Sequence, residues 1–135
     1  GWAVTAAAAA LAAAAAAGLA VVEVEQGGSR QTLVLPCGAP GSLRFVNSVT
    51  GSPVAIDFRI CGALRDFRVR TDAAAHEYYT AGLYDLDRRL RGERRRALRV
   101  CSEVGVEVGL GPHRYRIRGG CLEVRCTWPT PWFAG

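Results

Sequence analysis

The sequence predicts an α+β fold, in which a long N-terminal apolar α-helix precedes an antiparallel β-sandwich domain, either Ig-like or barrel-like. Two observations lead to this prediction. The first 22 residues of the 135-residue chain have no charged side chain and include thirteen alanines, the residue with the highest helix propensity. Later residues alternate between apolar and polar in short runs, as half-buried strands do. We therefore divide the chain into an N-terminal Ala-rich hydrophobic helix over residues 1–25 and a β-sandwich head domain over residues 26–135.

The N-terminal segment is long enough, at about 1.5 Å per residue, for a helix that crosses a lipid bilayer. It has few large apolar side chains, however, and its small residues would allow helices to pack closely. We prefer a helix buried among copies of itself to a retained membrane anchor. A cleaved signal peptide would need a basic region, which this segment lacks. The residues expected at the helix contacts are Trp2, Ala10, Leu11, Ala14, Gly18 and Leu19.

The strand pattern is clearest in residues 54–60, where every second residue is large and apolar. Glycine and proline separate this run from similar ones, and Pro53 suits the first residue of a strand. The other runs lie at residues 33–35, 43–49, 104–110, 115–117 and 122–126, and a less regular one lies at residues 64–69. About seven to nine short strands with this spacing predict a sandwich or a barrel. We expect residues 85–97 to be helical or irregular.

Five cysteines are present, but none forms a C-x-x-C motif, and His76 and His113 do not have zinc-finger spacing. We therefore expect no metal site and no cofactor. If the domain lies outside the cell, disulfides are expected. The candidate pairs are Cys37 with Cys61 and Cys101 with Cys121.

All 17 basic residues are arginine, and the net charge is +5. The absence of lysine excludes a Walker phosphate loop and a Schiff base. A run of arginines late in the chain is a possible anion patch, although a solvated loop explains it more simply. Its members are Arg88, Arg89, Arg91, Arg94, Arg95 and Arg96. No aromatic residues alternate with these arginines, so nucleic acid is not the expected partner.

Two further groups of residues are candidates for chemistry or binding. The carboxylates near His76 and those at Asp85 and Asp87 have no flanking pattern that would separate their pKa values, so we expect no enzymatic activity. The C-terminal segment contains Trp128, Trp132 and Phe133 between prolines. These aromatic residues would either cover the end of the sandwich or contact a neighbouring subunit.

The overall layout resembles archaeal type IV pilins, in which a mature chain opens with an uncharged helix followed by a β-rich head. Thr5 stands where bacterial pilins have a glutamate, and archaeal members also lack that glutamate. The resemblance implies a structural subunit of an extracellular pilus-like filament. It would assemble with copies of itself through the N-terminal helix, after a membrane-anchored stage. The implied location is extracellular or at the cell surface.

A second resemblance lies in residues 45–58, where Asn47-Ser48-Val49 is followed by Pro53-Val54. These residues resemble the signature of a family of small proteins of unknown function, which have an N-terminal membrane helix and are often encoded beside TRAP-type transporters. Members commonly have histidine where Asn47 stands. This resemblance implies the alternative function, a membrane-anchored extracytoplasmic accessory or binding module associated with a transporter.

Overall fold

Alternation of apolar and polar residues produces nine antiparallel strands in the part of the chain that the structure, a computed structural model, describes. That part comprises residues 18–71 and 92–130 and the single residue Ala9. The strands are β1 (Leu19–Gln26), β2 (Ser29–Pro36), β3 (Ala39–Val46), β4 (Pro53–Ile60), β5 (Leu64–Thr71), β6 (Ala97–Cys101), β7 (Val106–Leu110), β8 (His113–Ile117) and β9 (Cys121–Trp128).

The strands form two sheets. The four-stranded sheet has the order β2-β1-β9-β6, and the five-stranded sheet has the order β5-β4-β3-β7-β8. Each sheet turns one apolar face toward the other, and the two faces share a single core. The four-stranded sheet supplies Val22, Leu35 and Val124, while Phe58 and Val108 come from the five-stranded sheet. The described part is therefore a β-sandwich.

The predicted α+β class is wrong, because residues 19–25 are not helical. Leu19–Gln26 forms β1, which pairs with β2 on one side and β9 on the other. Its small and β-branched residues suit a strand: Ala20, Val22 and Val24 are buried, while glutamates alternate with them. Since no helix lies in residues 18–71 and 92–130, the described fold is all-β.

Two of the residues predicted for the assembly helix lie in the described part of the chain, and neither is helical. Leu19 lies in β1, and Gly18 occupies the turn before it with φ of 69°. The other predicted contact residues, Trp2, Ala10, Leu11 and Ala14, lie outside the described residues. Among the residues that the structure describes, no helix has the length and apolar character needed to cross a membrane. The boundary predicted between a helix and a head at residue 26 therefore falls inside a strand hairpin.

The strand predictions for the later part of the chain are confirmed in outline. Residues 54–60 lie in β4 as expected, and residues 122–126 lie in β9. Gly27 and Gly28 form the two-residue turn between β1 and β2, and both have positive φ, the conformation that a tight hairpin requires. Of the region expected to be helical or irregular, Ala97 begins β6 and residues 85–91 lie outside the described residues.

Two disulfides join the pairs that were named as candidates from the sequence. Cys37–Cys61 links the end of β2 to the end of β4 and so ties the two sheets together. Cys101–Cys121 joins opposed residues of β6 and β9. Each closes a loop of 20 or more residues, for which the chain-entropy account gives about 3 kcal/mol of stabilisation. The two bonds indicate an oxidising, extracytoplasmic environment.

The fifth cysteine, Cys126, is a free thiol in the core. Burial among apolar side chains raises its pKa to about 11, and the nearby Arg96 opposes that rise only in part. The thiol therefore stays protonated near neutral pH and behaves as a small apolar side chain.

Candidate anion-binding face

The outward face of the five-stranded sheet is strongly basic. Alternation along each strand sends apolar side chains into the core and leaves arginines on the opposite side. Six exposed arginines from four strands share this side, against two carboxylates, Asp57 and Glu107. We call this surface the arginine face. Its arginines are Arg44, Arg59, Arg68, Arg70, Arg114 and Arg116.

Register places most of these arginines in two rows that cross the sheet, since opposed residues of antiparallel strands point to the same side. The first row is Arg70, Ala55, Arg44, Glu107 and Arg116. In that row the arginines occupy every second strand, about 10 Å apart, and the row spans about 19 Å.

The second row lies two residues further along each strand and contains Arg68, Asp57, Ser42, Gly109 and Arg114. Gly109 leaves room for its neighbour: a Cβ there would lie 2.6 Å from Nη1 of Arg114. That nitrogen donates to the carbonyl of Gly111 at 3.1 Å, so the guanidinium lies over the sheet. The two rows together form a cationic surface that crosses all five strands.

Several arginines of this face have partners. Arg70 donates from Nε and Nη2 to the two carboxylate oxygens of Asp57, at 2.5 and 3.2 Å, and this hydrogen-bonded ion pair raises the pKa of Arg70. Nε of Arg114 lies 3.9 Å from Oε1 of Glu107, a longer ion pair. Arg59 and Arg68 donate to backbone carbonyls.

Arg44 and Arg116 differ from the other arginines of this face in their contacts. Within the described residues neither guanidinium has a hydrogen bond or an ion pair, although both are exposed. They lie on β3 and β8, on either side of Glu107 on β7. Each guanidinium offers five N–H donors in a planar fork that matches a carboxylate, sulfate or phosphate. These two side chains are therefore cationic groups of the face without a partner among the described residues, one on the central strand β3 and one on the edge strand β8.

A groove of about 700 Å³ adjoins the first row at the end of the sheet. Arg44, Arg70, Arg116 and Glu107 line its polar side. Its apolar side includes Val46 and Val104, which are 63% and 85% exposed. The groove therefore extends the cationic surface over a small apolar rim.

The outward face of the four-stranded sheet has a different charge pattern. Three glutamates alternate with arginines there, and they form ion pairs: Arg30 lies 3.3 Å from Glu25, and Arg125 lies 2.8 Å from Glu123. Arg30 also lies 3.6 Å from Glu23. The two faces of the sandwich therefore differ, since one is balanced by pairing and the other keeps unpaired positive charge.

The described members of the arginine run that was predicted as a possible anion patch lie outside the two rows of the arginine face. Arg88, Arg89 and Arg91 lie outside the described residues. Arg96 is a structural residue, because its guanidinium donates to the carbonyls of Gly62 and Cys126 at 3.0 and 2.9 Å.

Two neighbours in the run also have contacts inside the molecule. Nε of Arg95 lies 2.7 Å from Glu93, and the backbone of Arg95 bonds to Leu64. Arg94 has a contact of its own. The described part of the run is therefore engaged within the chain rather than gathered into a free patch.

The aromatic tail is described only in part. Trp128 is the last residue of β9 and is half-buried, whereas Trp132 and Phe133 lie outside the described residues. Their predicted role in subunit contacts stays a prediction.

Asn47, the position at which the transporter-associated family commonly has histidine, shapes a turn. Its buried Oδ1 accepts from the amides of Val49 and Thr50 at 2.8 and 2.9 Å. This arrangement shapes the turn between β3 and β4.

Within the described residues, no three His, Cys, Asp or Glu side chains gather where they could hold a metal ion. No family model matches the sequence, and no curated protein or solved structure matches it significantly. Any inference about function therefore depends on the geometry of the arginine face.

Proposed function

We propose that this chain is a non-catalytic extracytoplasmic domain that binds an anionic polysaccharide on the arginine face. The observation that carries the proposal is the pair of unpartnered guanidiniums, Arg44 and Arg116, in a row that is otherwise paired or neutral. Exposed arginines without internal partners gain most from an external anion, because no existing ion pair has to be broken.

The length of the face favours an extended polymer. Arg70, Arg44 and Arg116 follow one line across five strands, so successive anionic groups of a linear chain can reach them in turn. The distance of about 10 Å between neighbouring arginines leaves room for uncharged parts of the polymer between its acidic groups. Several weak, exposed contacts of this kind would add up through multivalency.

A polysaccharide fits better than single-stranded nucleic acid. Binding of unpaired bases relies on aromatic side chains as stacking platforms, and the two described rows contain none. The nearby Tyr115 points to the core side, where its hydroxyl lies 2.6 Å from Oε1 of Gln31. The disulfides also favour a surface polymer outside the cytoplasm over an intracellular nucleic acid.

We do not propose the filament function that the pilin resemblance implied. It required one continuous helix over residues 1–25, and β1 occupies the last part of that range. An extracytoplasmic binding module, the alternative implied by the second resemblance, agrees with the present proposal. It does not require a transporter as partner.

The proposal is tested by replacing the two free arginines together, as R44Q/R116Q. Titration calorimetry would measure binding of a size-fractionated sulfated polysaccharide and of polygalacturonate at low salt. We expect affinity for at least one of the polymers to fall about tenfold, since two exposed charge contacts are lost. The slope of log affinity against log salt should decrease by about two, because fewer counterions are displaced.

The matched control is R30Q/R125Q, which removes the same charge from the face of the four-stranded sheet. This control should leave the affinity nearly unchanged. Equal losses in the two double variants would show that net charge alone attracts the polymer, and the proposal would then fail. Tighter binding to anionic lipid vesicles or to single-stranded DNA than to both polysaccharides would assign the face to a different partner.

A further inference from the structure

Among the strands that the structure describes, β2 has an edge available for pairing with another strand. β2 is the outermost strand of the four-stranded sheet, and it pairs with β1 along all eight residues without a bulge. Its other side faces no described strand. Val34, near the end of this strand, is 58% exposed. A long, regular edge of this kind exposes a row of backbone donors and acceptors.

The hydrogen bonds fix which residues present these groups. The amide of Cys37 donates to the carbonyl of Gly18 at 2.6 Å, which makes this pair a hydrogen-bonded one. Since such pairs alternate, the odd-numbered residues of β2 direct their backbone groups toward β1. The even-numbered residues Arg30, Thr32 and Val34 direct theirs to the free edge. Pro36 agrees with this assignment, because a proline at this position gives up no bond to β1.

The strands at the other three edges have features that discourage pairing with a further strand. β5 contains a bulge at Asp66, whose φ is 57°, and it presents Arg65, Arg68 and Arg70. β8 has only five residues, two of them arginine. β6 is equally short and is bonded to β9 by a disulfide. β2 has one charge in its eight residues, Arg30, which is paired with glutamates of β1. Among the described edges, β2 is therefore the one best suited to pairing.

We propose that β2 pairs antiparallel with β2 of a second copy of this chain, so that two four-stranded sheets join into one of eight strands. In the register we propose, Leu33 opposes Leu33 of the partner subunit. Thr32 then opposes the partner's Val34, and Arg30 opposes the partner's Pro36. The two copies of Leu33 therefore meet at the two-fold axis on the core side, flanked by Gln31 opposite the partner's Leu35, and β-branched residues meet on the outer side.

This register provides six backbone hydrogen bonds. The amides of Thr32 and Val34 each donate to the opposite strand, and so does the amide of Arg30, whose acceptor is the carbonyl of the partner's Pro36. The same three bonds recur by symmetry. Pro36 offers no donor, so pairing ends there. The bonds satisfy every edge amide of β2, which is why a second copy fits this edge.

The dimer also bears on the proposed polysaccharide binding, and this consequence rests on that function. A two-fold axis between antiparallel strands is perpendicular to the joined sheet, so both five-stranded sheets lie on the same side. β8 lies beneath β2, as the bond from Tyr115 to Gln31 shows. The two arginine faces would therefore adjoin, and one polymer could span both with increased avidity.

The test is sedimentation velocity of the full chain without polysaccharide, at physiological ionic strength, over a wide range of protein concentration. The wild-type chain should form a dimer. T32P removes two of the six hydrogen bonds and should raise the dimer dissociation constant about thirtyfold. V34K adds a positive charge at the pairing edge and should weaken the dimer by at least about tenfold. V49K, at a valine in the β3–β4 turn that is 72% exposed, is the matched control and should leave the dimer intact.

Residue-resolved hydrogen exchange identifies the edge independently. In the dimer the amides of Thr32 and Val34 should be protected. In V34K the amides at positions 32 and 34 should exchange rapidly, while those of Leu33 and Leu35 stay protected by β1. A wild-type chain that is monomeric at every concentration would overturn the proposal. So would a dimer that T32P and V34K leave unchanged. Because polysaccharide is absent from both measurements, failure here is distinct from failure of the proposed function.

Discussion

Glu107 shows how one side chain can set the strength of the arginine face. It lies between Arg44 and Arg116 in the first row, and its contact with Arg114 is long at 3.9 Å. Its carboxylate therefore lowers the positive potential where the two free guanidiniums lie. A bound polyanion would have to approach this negative charge, and that repulsion reduces affinity.

E107Q should therefore strengthen polysaccharide binding by about threefold at low salt, because it removes a like charge from the site at little cost to the fold. The control is E23Q on the face of the four-stranded sheet, which changes the net charge equally. A gain confined to E107Q is the expected result of parallel titrations. If E107Q weakens binding, the carboxylate is part of the recognition, and the electrostatic account of the site is wrong.

Asn47 shows that resemblance over a short stretch of sequence does not establish the role of a single side chain. The residues around it resemble a family signature, but the side chain forms two hydrogen bonds that shape a turn. Ser, Thr, Asn and Asp all do this in tight turns. The strand run predicted over residues 43–49 extended through this position, whereas β3 ends at Val46 and Asn47 shapes the following turn, and a functional role for the residue does not follow.

Among the elements, β1 is the one that the sequence analysis placed in the wrong class. The helix was predicted as far as residue 25 because the preceding residues are rich in alanine. Ala20, Val22 and Val24 nevertheless alternate with Val21, Glu23 and Glu25, which is a strand pattern. Alanine has high helix propensity, but tertiary pairing overrides propensity when both neighbouring strands are available. β4 was predicted correctly because its alternation is long, regular and made of large residues.

β3 depends on a glycine that no alternation pattern would single out. Gly41 opposes Phe58 on β4, and the aromatic ring lies directly over it, so that a Cβ at this position would overlap the ring. Phe58 in turn packs against Phe67, with ring centroids 5.5 Å apart. The close approach of a strand backbone to a core ring is a common reason for glycine within a strand.

G41A should lower the free energy of unfolding by about 1–3 kcal/mol, because Phe58 would be forced out of its packing position. Chemical denaturation of oxidised protein measures the change. P40A, at the exposed neighbouring residue, serves as the control and should cost much less. An unaltered midpoint in G41A would mean that the ring of Phe58 does not lie over this glycine.

For the whole molecule, the sequence analysis anticipated the sandwich and both disulfide pairs but not the binding face. The arginines of that face are scattered over β3, β4, β5 and β8, and only strand order and register bring them together. Part of the face could have been predicted from the sequence, since Arg114, Arg116 and Arg118 alternate with apolar residues and so lie on one side of a strand. The anion patch was predicted at residues 88–99 instead, because arginines that are close together along the chain can be recognised without a structure.

The two outer faces give the molecule an uneven charge distribution, which is the basis of the functional proposal. Ion pairs neutralise the face of the four-stranded sheet, while the arginine face retains free guanidiniums. Long-range attraction would orient an approaching polyanion toward the arginine face before contact. The core shared by the two sheets places these faces on opposite sides of the sandwich, and the disulfide Cys37–Cys61 joins the sheets.

The most direct test of this claim is an NMR titration of the wild-type protein that follows the Nε–Hε signals of its arginines as polysaccharide is added. Signals of Arg44 and Arg116 should shift first and furthest, with smaller changes for Arg70, which is already paired with Asp57. Arg30 and Arg125 should not move. Larger shifts at Arg30 and Arg125, or no shift on the arginine face at saturation, would contradict the account.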